Sequence, residues 1–375
     1  QNKSEGPYST LAGAFGIDGV SIFVTMLITV CVIRISPLAE TFLKRENITG
    51  PEPYVLMLLA ATGGIIMAGA NDFIILFLGI EVLSISSYIL AAMNSRRIQS
   101  QEAGLKYFVL GAFASGFLLY GIALLYGATG STSFSAIKNF TEEVELTNDT
   151  LLLAALALLI VGLAFKVAAV PFHFWSPDVY QGSPTPFVAF MASAVKAAGF
   201  AAILRVLYVT LGEYRADWQP VIYAIAIATL LTGSLLAIVQ TDLKRMLAYS
   251  SISHAGYLLV GTQAASDQGV KAVLFYLATY AFMVIGSFTV VAINAGDTGI
   301  QTNLDSLSGL ATRKPLLAIT FTVFLLGQAG IPLTSGFFAK FYVIEAAIEE
   351  GSYLLAIIAM IAAVIGAFLY LRILV

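Results

Sequence analysis

The stretch LIVGLAFKVAAVPFHFWSPDVYQGSPTP, residues 159–186, places Lys166 and four prolines inside an otherwise apolar run. A second stretch, FLLGQAGIPLTSGFFAKFYVIEAAIEE, residues 324–350, combines Pro332 with Lys340 in a similar way. Proline removes a backbone donor and breaks a helix. Broken helices at membrane depth are tolerated only where they are buried in protein or line a wet cavity. The two stretches therefore predict broken membrane helices, each beside a buried lysine.

The composition indicates that most of the surface faces lipid or other helices. Apolar residues make up 59% of the 375 residues and charged residues only 11%, whereas a soluble domain has about 25% charged residues. A bilayer core of about 30 Å needs roughly 20 apolar residues per helix, so the sequence predicts an all-α polytopic membrane protein with about eleven transmembrane helices. The apolar runs lie near 11–36, 53–70, 72–93, 104–128, 150–172, 185–211, 218–240, 246–264, 269–294, 313–345 and 352–375.

Several classes of site are excluded by residue usage. The chain has one cysteine, Cys31, and two histidines, His173 and His254, which are too few for a cysteine or histidine metal cage. Phosphate-binding and dinucleotide-binding glycine motifs are absent, and no basic run suggests nucleic acid. We therefore predict no metal and no cofactor in this chain. The polar start and the apolar end of the sequence lead us to expect a longer protein.

Charged loops predict the orientation. We call the side that follows the first apolar run the basic side and the opposite side the acidic side. Positively charged loops mark the cytoplasmic side of a membrane protein, so we predict that the basic side is cytoplasmic. Arg34 and Arg205, near the ends of apolar runs, are interpreted as interface residues that snorkel. The basic side carries Lys44, Arg45, Arg96, Arg97, Lys244, Arg245, Arg313 and Lys314, and the acidic side carries Glu142, Glu143, Glu145, Asp149, Glu345, Glu349 and Glu350.

Ionisable residues inside the apolar runs recur at a nearly constant offset, which predicts an internal repeat. Five spans from 53 to 211 would be duplicated between 212 and 375, after an N-terminal helix and loop at 1–52. Because five is odd, the second unit would enter the membrane from the opposite side, as in the inverted repeats of transporters. The matched pairs are Glu81 and His254 (254−81 = 173), Lys166 and Lys340 (340−166 = 174), and Lys196 and Arg372 (372−196 = 176).

These buried charges predict proton transfer. A charge at the bilayer centre costs at least about 2.5–3.5 kcal/mol, so such residues mark functional sites. A buried lysine holds its proton when a carboxylate such as Glu81 is near and releases it when the two separate. The structural alternatives are a lysine that caps free carbonyls, an ion pair that fixes packing, and a hydrogen-bonded core histidine. Lys106 and Arg372 are the weaker candidates, and His173 and Asp178 could either shape the broken helix or take up protons.

Three motifs resemble the antiporter-like subunits of respiratory complex I, and among them the N-type chain. They are FKVAAVPFHFWSPDVYQGSPTPFVAFMASAVKAAGF, QTDLKRMLAYSSISHAGYLLVG and GIPLTSGFFAKFYV. The resemblance implies fourteen helices in the full chain and two inverted five-helix repeats. It also implies relay roles for five residues, namely Glu81 in FLGIEVLSISSY, Lys166 in AFKVAAVPFHFW, Lys196 in ASAVKAAGF, His254 in SSISHAGY and Lys340 in GFFAKFYV, with Lys106 in EAGLKYFVLGA also matching.

The resemblance further implies a non-redox subunit of a proton-translocating NADH:quinone oxidoreductase in a bacterial cytoplasmic membrane. Its partners would be other membrane-arm subunits, the lipid bilayer and protons, without nucleic acid. NADH, FMN, iron–sulfur clusters and quinone would bind to partner subunits. The alternatives are a cation/proton antiporter subunit, a membrane subunit of a ferredoxin-, deazaflavin- or hydrogenase-linked complex, and a structural spacer.

Overall fold

A computed structural model of the protein describes residues 8–143, 149–297 and 302–375. Glu145, expected in an acidic loop, lies outside those ranges. Fifteen helices occur in the described ranges. They are α1 (Gly19–Arg45), α2 (Glu52–Gly69), α3 (Phe73–Ala91), α4 (Ile98–Thr129), α5 (Phe134–Glu143), α6 (Thr150–Lys166), α7 (Trp175–Gly182), α8 (Thr185–Thr210), α9 (Arg215–Ile238), α10 (Leu243–Gln263), α11 (Asp267–Asp297), α12 (Leu310–Arg313), α13 (Pro315–Ala329), α14 (Ser335–Glu349) and α15 (Tyr353–Leu374).

Each predicted apolar run coincides with a helix or with a pair of helices joined at a break. Eight helices of the described ranges are long and apolar enough to cross a membrane. The helices α6 and α13 are shorter because each stops at its break. The helix α8 lies at the centre, where every residue of its most apolar window is buried. The prediction of an all-α polytopic membrane protein is confirmed.

The first membrane helix begins later than the apolar run suggested. Tyr8–Thr10 (β1) and Phe15–Ile17 (β2) pair antiparallel, and α1 starts only at Gly19. Asp18 caps α1, since its carboxylate accepts the Ser21 N–H at 2.9 Å. We call residues 8–17 the hairpin, and it covers the acidic-side end of α2.

Both predicted helix breaks are present, and their backbone groups are satisfied by nearby side chains. After α6 ends at Lys166, the Val170 N–H donates to Thr229 Oγ1 at 3.0 Å. The Trp175 indole N–H donates back to the Phe165 carbonyl at 3.1 Å. The second break follows α13 at Gly330, which has a left-handed φ of 81°, and there the Ala329 carbonyl accepts from Lys340 Nζ at 2.8 Å. Each break therefore persists because the freed backbone groups find partners, as buried polar groups must.

A repeated pair of cap contacts shows the internal symmetry directly. Asp72 caps α3 and accepts the Thr132 hydroxyl at 2.7 Å. Asp242 caps α10 and accepts the Thr302 hydroxyl. The two aspartates are 170 residues apart (242−72 = 170), and so are the two threonines (302−132 = 170). Repetition at an offset of 170 is thus built into the fold, while the limits 53–211 and 212–375 for the two units stay a prediction.

Candidate functional site

The first buried lysine hydrogen-bonds to a serine. Lys166 ends α6, is 6% exposed, and donates from Nζ to Ser84 Oγ at 2.7 Å. Glu81 lies one turn before Ser84 on α3, and its carboxylate accepts the Ser115 hydroxyl at 2.5 Å. Within the described ranges, no ion pair within 4.0 Å joins Glu81 to Lys166. Because residues three apart share a helix face, Ser84 places Lys166 beside the carboxylate without direct contact.

The second buried lysine lies on the central helix. Lys196 of α8 directly follows a π-helical segment, Met191–Val195, and is 4% exposed. Its Nζ donates to the Ser251 carbonyl at 2.5 Å and to Ser251 Oγ at 2.6 Å. Gly199, one turn further along α8, packs against Lys166: a Cβ there would lie 3.5 Å from Lys166 Cγ. The helices that carry the two lysines are therefore in direct contact.

His254 is held between two tyrosine hydroxyls. Its Nδ1 lies 2.7 Å from the Tyr276 hydroxyl and its Nε2 lies 3.0 Å from the Tyr370 hydroxyl. The Tyr370 hydroxyl also lies 2.5 Å from Ser250 Oγ. Ser250 and Ser251 are neighbours on α10. The hydrogen bonds around His254 therefore reach a serine that adjoins the one contacted by Lys196. Imidazole and hydroxyl groups both donate and accept hydrogen bonds, which a proton relay requires.

The third buried lysine lies on the other side of His254. Lys340 of α14 donates from Nζ to the Ala329 carbonyl at 2.8 Å, at the end of α13. Its Nζ also lies 4.9 Å from the centre of the Tyr257 ring. A cavity of about 10 Å³ between Lys340, His254 and Tyr370 is close to the minimum for one water molecule. Both ring nitrogens of His254 already contact tyrosine hydroxyls, so one water there would link Lys340 to His254 through the Tyr370 hydroxyl.

These three lysines share one electrostatic feature. Lys166, Lys196 and Lys340 are each less than 9% exposed, and none has a carboxylate oxygen within 4.0 Å in the described part of the chain. Burying an ammonium without a counter-ion is costly, so its protonation depends strongly on any charge that changes nearby. The arrangement is suited to taking up and releasing protons.

We call Lys166, Lys196, His254 and Lys340 the buried row. Lys106 is not part of it. Its side chain is 41% exposed, and Nζ lies 2.7 Å from both Asp178 and Glu102. Arg245 contacts the other oxygen of Asp178 at 2.5 Å. Burial alone would raise the pKa of Asp178, but hydrogen bonds and charge from Lys106 and Arg245 lower it below its ordinary value. Lys106 and Asp178 border a cavity of about 300 Å³ at the basic side, close to Gln181.

Arg372 is also outside the buried row, and its contacts differ from those of Lys196, its predicted partner in the repeat. It is exposed, and its guanidinium donates to the Ile238 carbonyl and, at 3.2 Å, to the Gln240 carbonyl. Arg205 makes the corresponding contact with the Ala68 carbonyl. The acceptors are related by the repeat offset, since 238−68 = 170. Arg205 itself precedes Arg372 by 167 residues (372−205 = 167), three fewer than the repeat offset, so the two arginines match in the carbonyl that they contact and not in exact register.

Two charges expected in loops or at an interface are buried. Lys244 is 5% exposed, and its Nζ donates to the Gln181 carbonyl at 2.9 Å and the Ser183 carbonyl at 2.5 Å, which fixes the turn between α7 and α8. Arg205 is 3% exposed and pairs with Asp18 instead of snorkelling. The pattern of charges in the loops predicts neither the turn contact of Lys244 nor the ion pair of Arg205.

The hydroxyl partners of the buried row were missed by sequence reasoning. They are Ser84, Ser115, Ser250, Ser251, Tyr276 and Tyr370. The run SSISH at 250–254 was the available signal, because its serines and histidine share adjacent turns of one helix.

The sequence is similar to those of known membrane proteins. The family described as NADH:quinone oxidoreductase/Mrp antiporter, TM, matches residues 70–366. NADH-quinone oxidoreductase subunit N 3 of Streptomyces griseus subsp. griseus is 48% identical, covering 88% of this chain and 62% of that protein. NADH-quinone oxidoreductase subunit N 1 of Solibacter usitatus is 43% identical, covering 98% of this chain and 76% of that protein.

A solved structure of complex I contains a chain with a similar fold. The chain superposes on one from respiratory complex I of Thermus thermophilus with bound aureothin, with a TM-score of 0.83 and 36% identity, covering 98% of this chain and 78% of that one. The chain spans only 62% of the length of the Streptomyces relative. The family match and the two relatives together show that the chain belongs to the NADH:quinone oxidoreductase/Mrp antiporter family, on the branch of its subunit N members.

Proposed function

We propose that this chain carries protons across a membrane as a subunit of NADH:quinone oxidoreductase. A proton is taken up at the basic side near Lys166, passes Lys196 and His254, and leaves to the acidic side from Lys340. Glu81 sets the proton affinity of Lys166 through the side chains around Ser84. Electron transfer in other subunits supplies the free energy, and this chain performs no redox chemistry.

The observation that carries this proposal is a row of buried polar side chains inside an apolar bundle. From Lys196 the contacts lead through Ser251 and its neighbour Ser250 to Tyr370 and His254. Buried polar groups in the membrane are expensive and are kept where they serve a pathway. A buried lysine alone can be structural, as Lys244 shows by fixing a turn. A structural spacer would not need a histidine held between two hydroxyls in the same polar region as Lys196 and Lys340.

The energies are of the right size for coupling. Moving one charge against 100 mV requires about 2.3 kcal/mol. A change of one pKa unit corresponds to about 1.4 kcal/mol. A coupled change of about two units at one buried lysine therefore matches the work of one transfer.

The relatives support the partners and the membrane that we propose for this chain. The partners are other membrane-arm subunits and the lipid bilayer, and the membrane is the bacterial cytoplasmic membrane with the basic side inside. NADH, FMN, iron–sulfur clusters and quinone bind to partner subunits, with no cofactor or metal in this chain.

Complex membership is tested by a native gel of membranes in mild detergent, stained for NADH-driven dye reduction, with this chain located by mass spectrometry. We expect the chain in a large NADH-active band. A smaller band without NADH activity, together with sodium-dependent proton transport in vesicles without NADH, would instead favour an antiporter subunit.

A further inference from the structure

A buried arginine closes the acidic-side end of the first repeat. Arg205 lies near the end of α8, and its guanidinium bonds to three different segments. It donates to the Ala68 carbonyl at the end of α2, to Asn71 Oδ1 at 3.1 Å, and to Asp18 at 2.5 Å. The hairpin lies over this group, since a Cβ at Gly16 would come within 2.6 Å of the Asn71 side chain.

The second repeat has the matching arginine at its opposite end. Arg372 donates to the carbonyl of Ile238, the repeat counterpart of Ala68. Because the repeats are inverted, Arg372 lies at the basic side and Arg205 at the acidic side. Lys196 precedes Arg205 by nine residues (205−196 = 9), whereas Ala363 holds that place before Arg372 (372−363 = 9). The second repeat therefore has an arginine that matches Arg205 but no lysine that matches Lys196.

The two arginines occupy the ends that the proposed path does not use. A proton taken up at the basic side enters through the first repeat and leaves at the acidic side through the second. Arg205 lies between Lys196 and the acidic side of the first repeat. Arg372 lies at the basic side of the second repeat.

We propose that Arg205 and Arg372 are proton barriers that close these two unused ends and so give the path its direction; this rests on the proposed function. A guanidinium has five donors, no acceptor, and stays protonated at any physiological pH. It therefore cannot accept a proton from a neighbouring water or hydroxyl, which interrupts a relay. Its fixed positive charge also repels an excess proton, as at other selective pores.

Asp18 holds Arg205 in place and does not form the barrier itself. Its carboxylate accepts from both the guanidinium and the first turn of α1. Replacing Asp18 with asparagine keeps the side-chain volume and leaves the guanidinium with its positive charge. The two substitutions Arg205→Gln and Asp18→Asn therefore separate the charge from the packing.

The test is passive proton flux through the assembled complex in liposomes, with an internal pH dye, a potassium diffusion potential and no NADH. We expect Arg205→Gln to raise the flux about tenfold. Lys196 lies nine residues before Arg205, about 13.5 Å along a helix, and a unit charge at that distance changes the local proton population about tenfold at an effective dielectric constant of about 20. Adding Lys196→Ala should abolish the extra flux. Arg34→Gln, at an exposed arginine midway along α1, is the matched control and should stay at the wild-type value.

Two outcomes overturn the proposal. One is an unchanged flux in an assembled Arg205→Gln complex. The other is an Asp18→Asn flux as high as that of Arg205→Gln, which would make packing the seal. If Arg205→Gln does not assemble, Arg372→Gln decides, since Arg372 is exposed: raised flux supports the barrier and wild-type flux refutes it. The proposed path has a separate readout, NADH-driven pumping. Pumping that survives Lys196→Ala would refute the path, whatever the passive flux.

Discussion

Tyr370→Phe removes one hydroxyl from the middle of the buried row and leaves the ring in place. That hydroxyl lies 3.0 Å from His254 Nε2 and 2.5 Å from Ser250 Oγ, and the residue is 3% exposed. Leaving a buried polar atom without a partner costs about 1–3 kcal/mol. If a proton crosses this bond, the barrier rises by a similar amount, which corresponds to about 5- to 150-fold slower transfer.

The assay is quenching of a pH-sensitive dye in inverted membrane vesicles, normalised to the rate of NADH oxidation. Tyr353→Phe is the matched control, because Tyr353 starts the same helix and is 64% exposed. We expect the control to pump normally and Tyr370→Phe to pump at least about fivefold more slowly. Equal pumping per NADH by both variants would show that protons do not pass between Ser250 and His254.

Two further predictions concern the backbone beside Lys340 and the partly exposed ion pairs of Asp178. Gly330→Ala should slow pumping without loss of assembly, because the new Cβ lies 2.9 Å from Lys340 Cδ at a residue with φ 81°; unchanged pumping per NADH would show that the position of Lys340 is not critical. Asp178→Asn should lower stability by about 0.5–1 kcal/mol, as expected for partly exposed ion pairs. Since the pKa of Asp178 is lowered, this difference in thermal melting should hold from pH 8 to about pH 5 and fade below about pH 4. A difference that persists in acid would show that charge is not its cause.

Sequence alone was sufficient for the spans and the buried lysines. A lysine within about 20 apolar residues is conspicuous, because its burial must be compensated. The breaks beside Lys166 and Lys340 were equally visible, since proline and glycine interrupt helices regardless of tertiary contacts.

The partners of those lysines depended on helix packing and were not predictable. Serine and tyrosine are ordinary residues of membrane helices, and only the crossing of α8 with α10 brings Ser251 to Lys196. Helix packing also places the Ser84 hydroxyl against Lys166, and no sequence pattern predicted this partner beside Glu81.

The charged residues and the cap contacts give different offsets for the repeat. Matching charges gave offsets of 173 to 176, whereas the cap contacts repeat at 170. Lys166 precedes its break and Lys340 follows its own, so the two lysines are not at equivalent backbone positions. Arg372 was consequently paired with Lys196 when its contacts match those of Arg205.

The most direct test of the central claim is the number of protons pumped per NADH oxidised by the assembled complex carrying Lys196→Ala. Without the amine, no side chain at this position can hold the proton. A rise of only about 1.4 kcal/mol in the transfer barrier would then lower pumping through this chain about tenfold. Lys271→Ala, at an exposed lysine near the start of α11, should keep the wild-type ratio. A wild-type ratio in Lys196→Ala would contradict the buried row as the proton path.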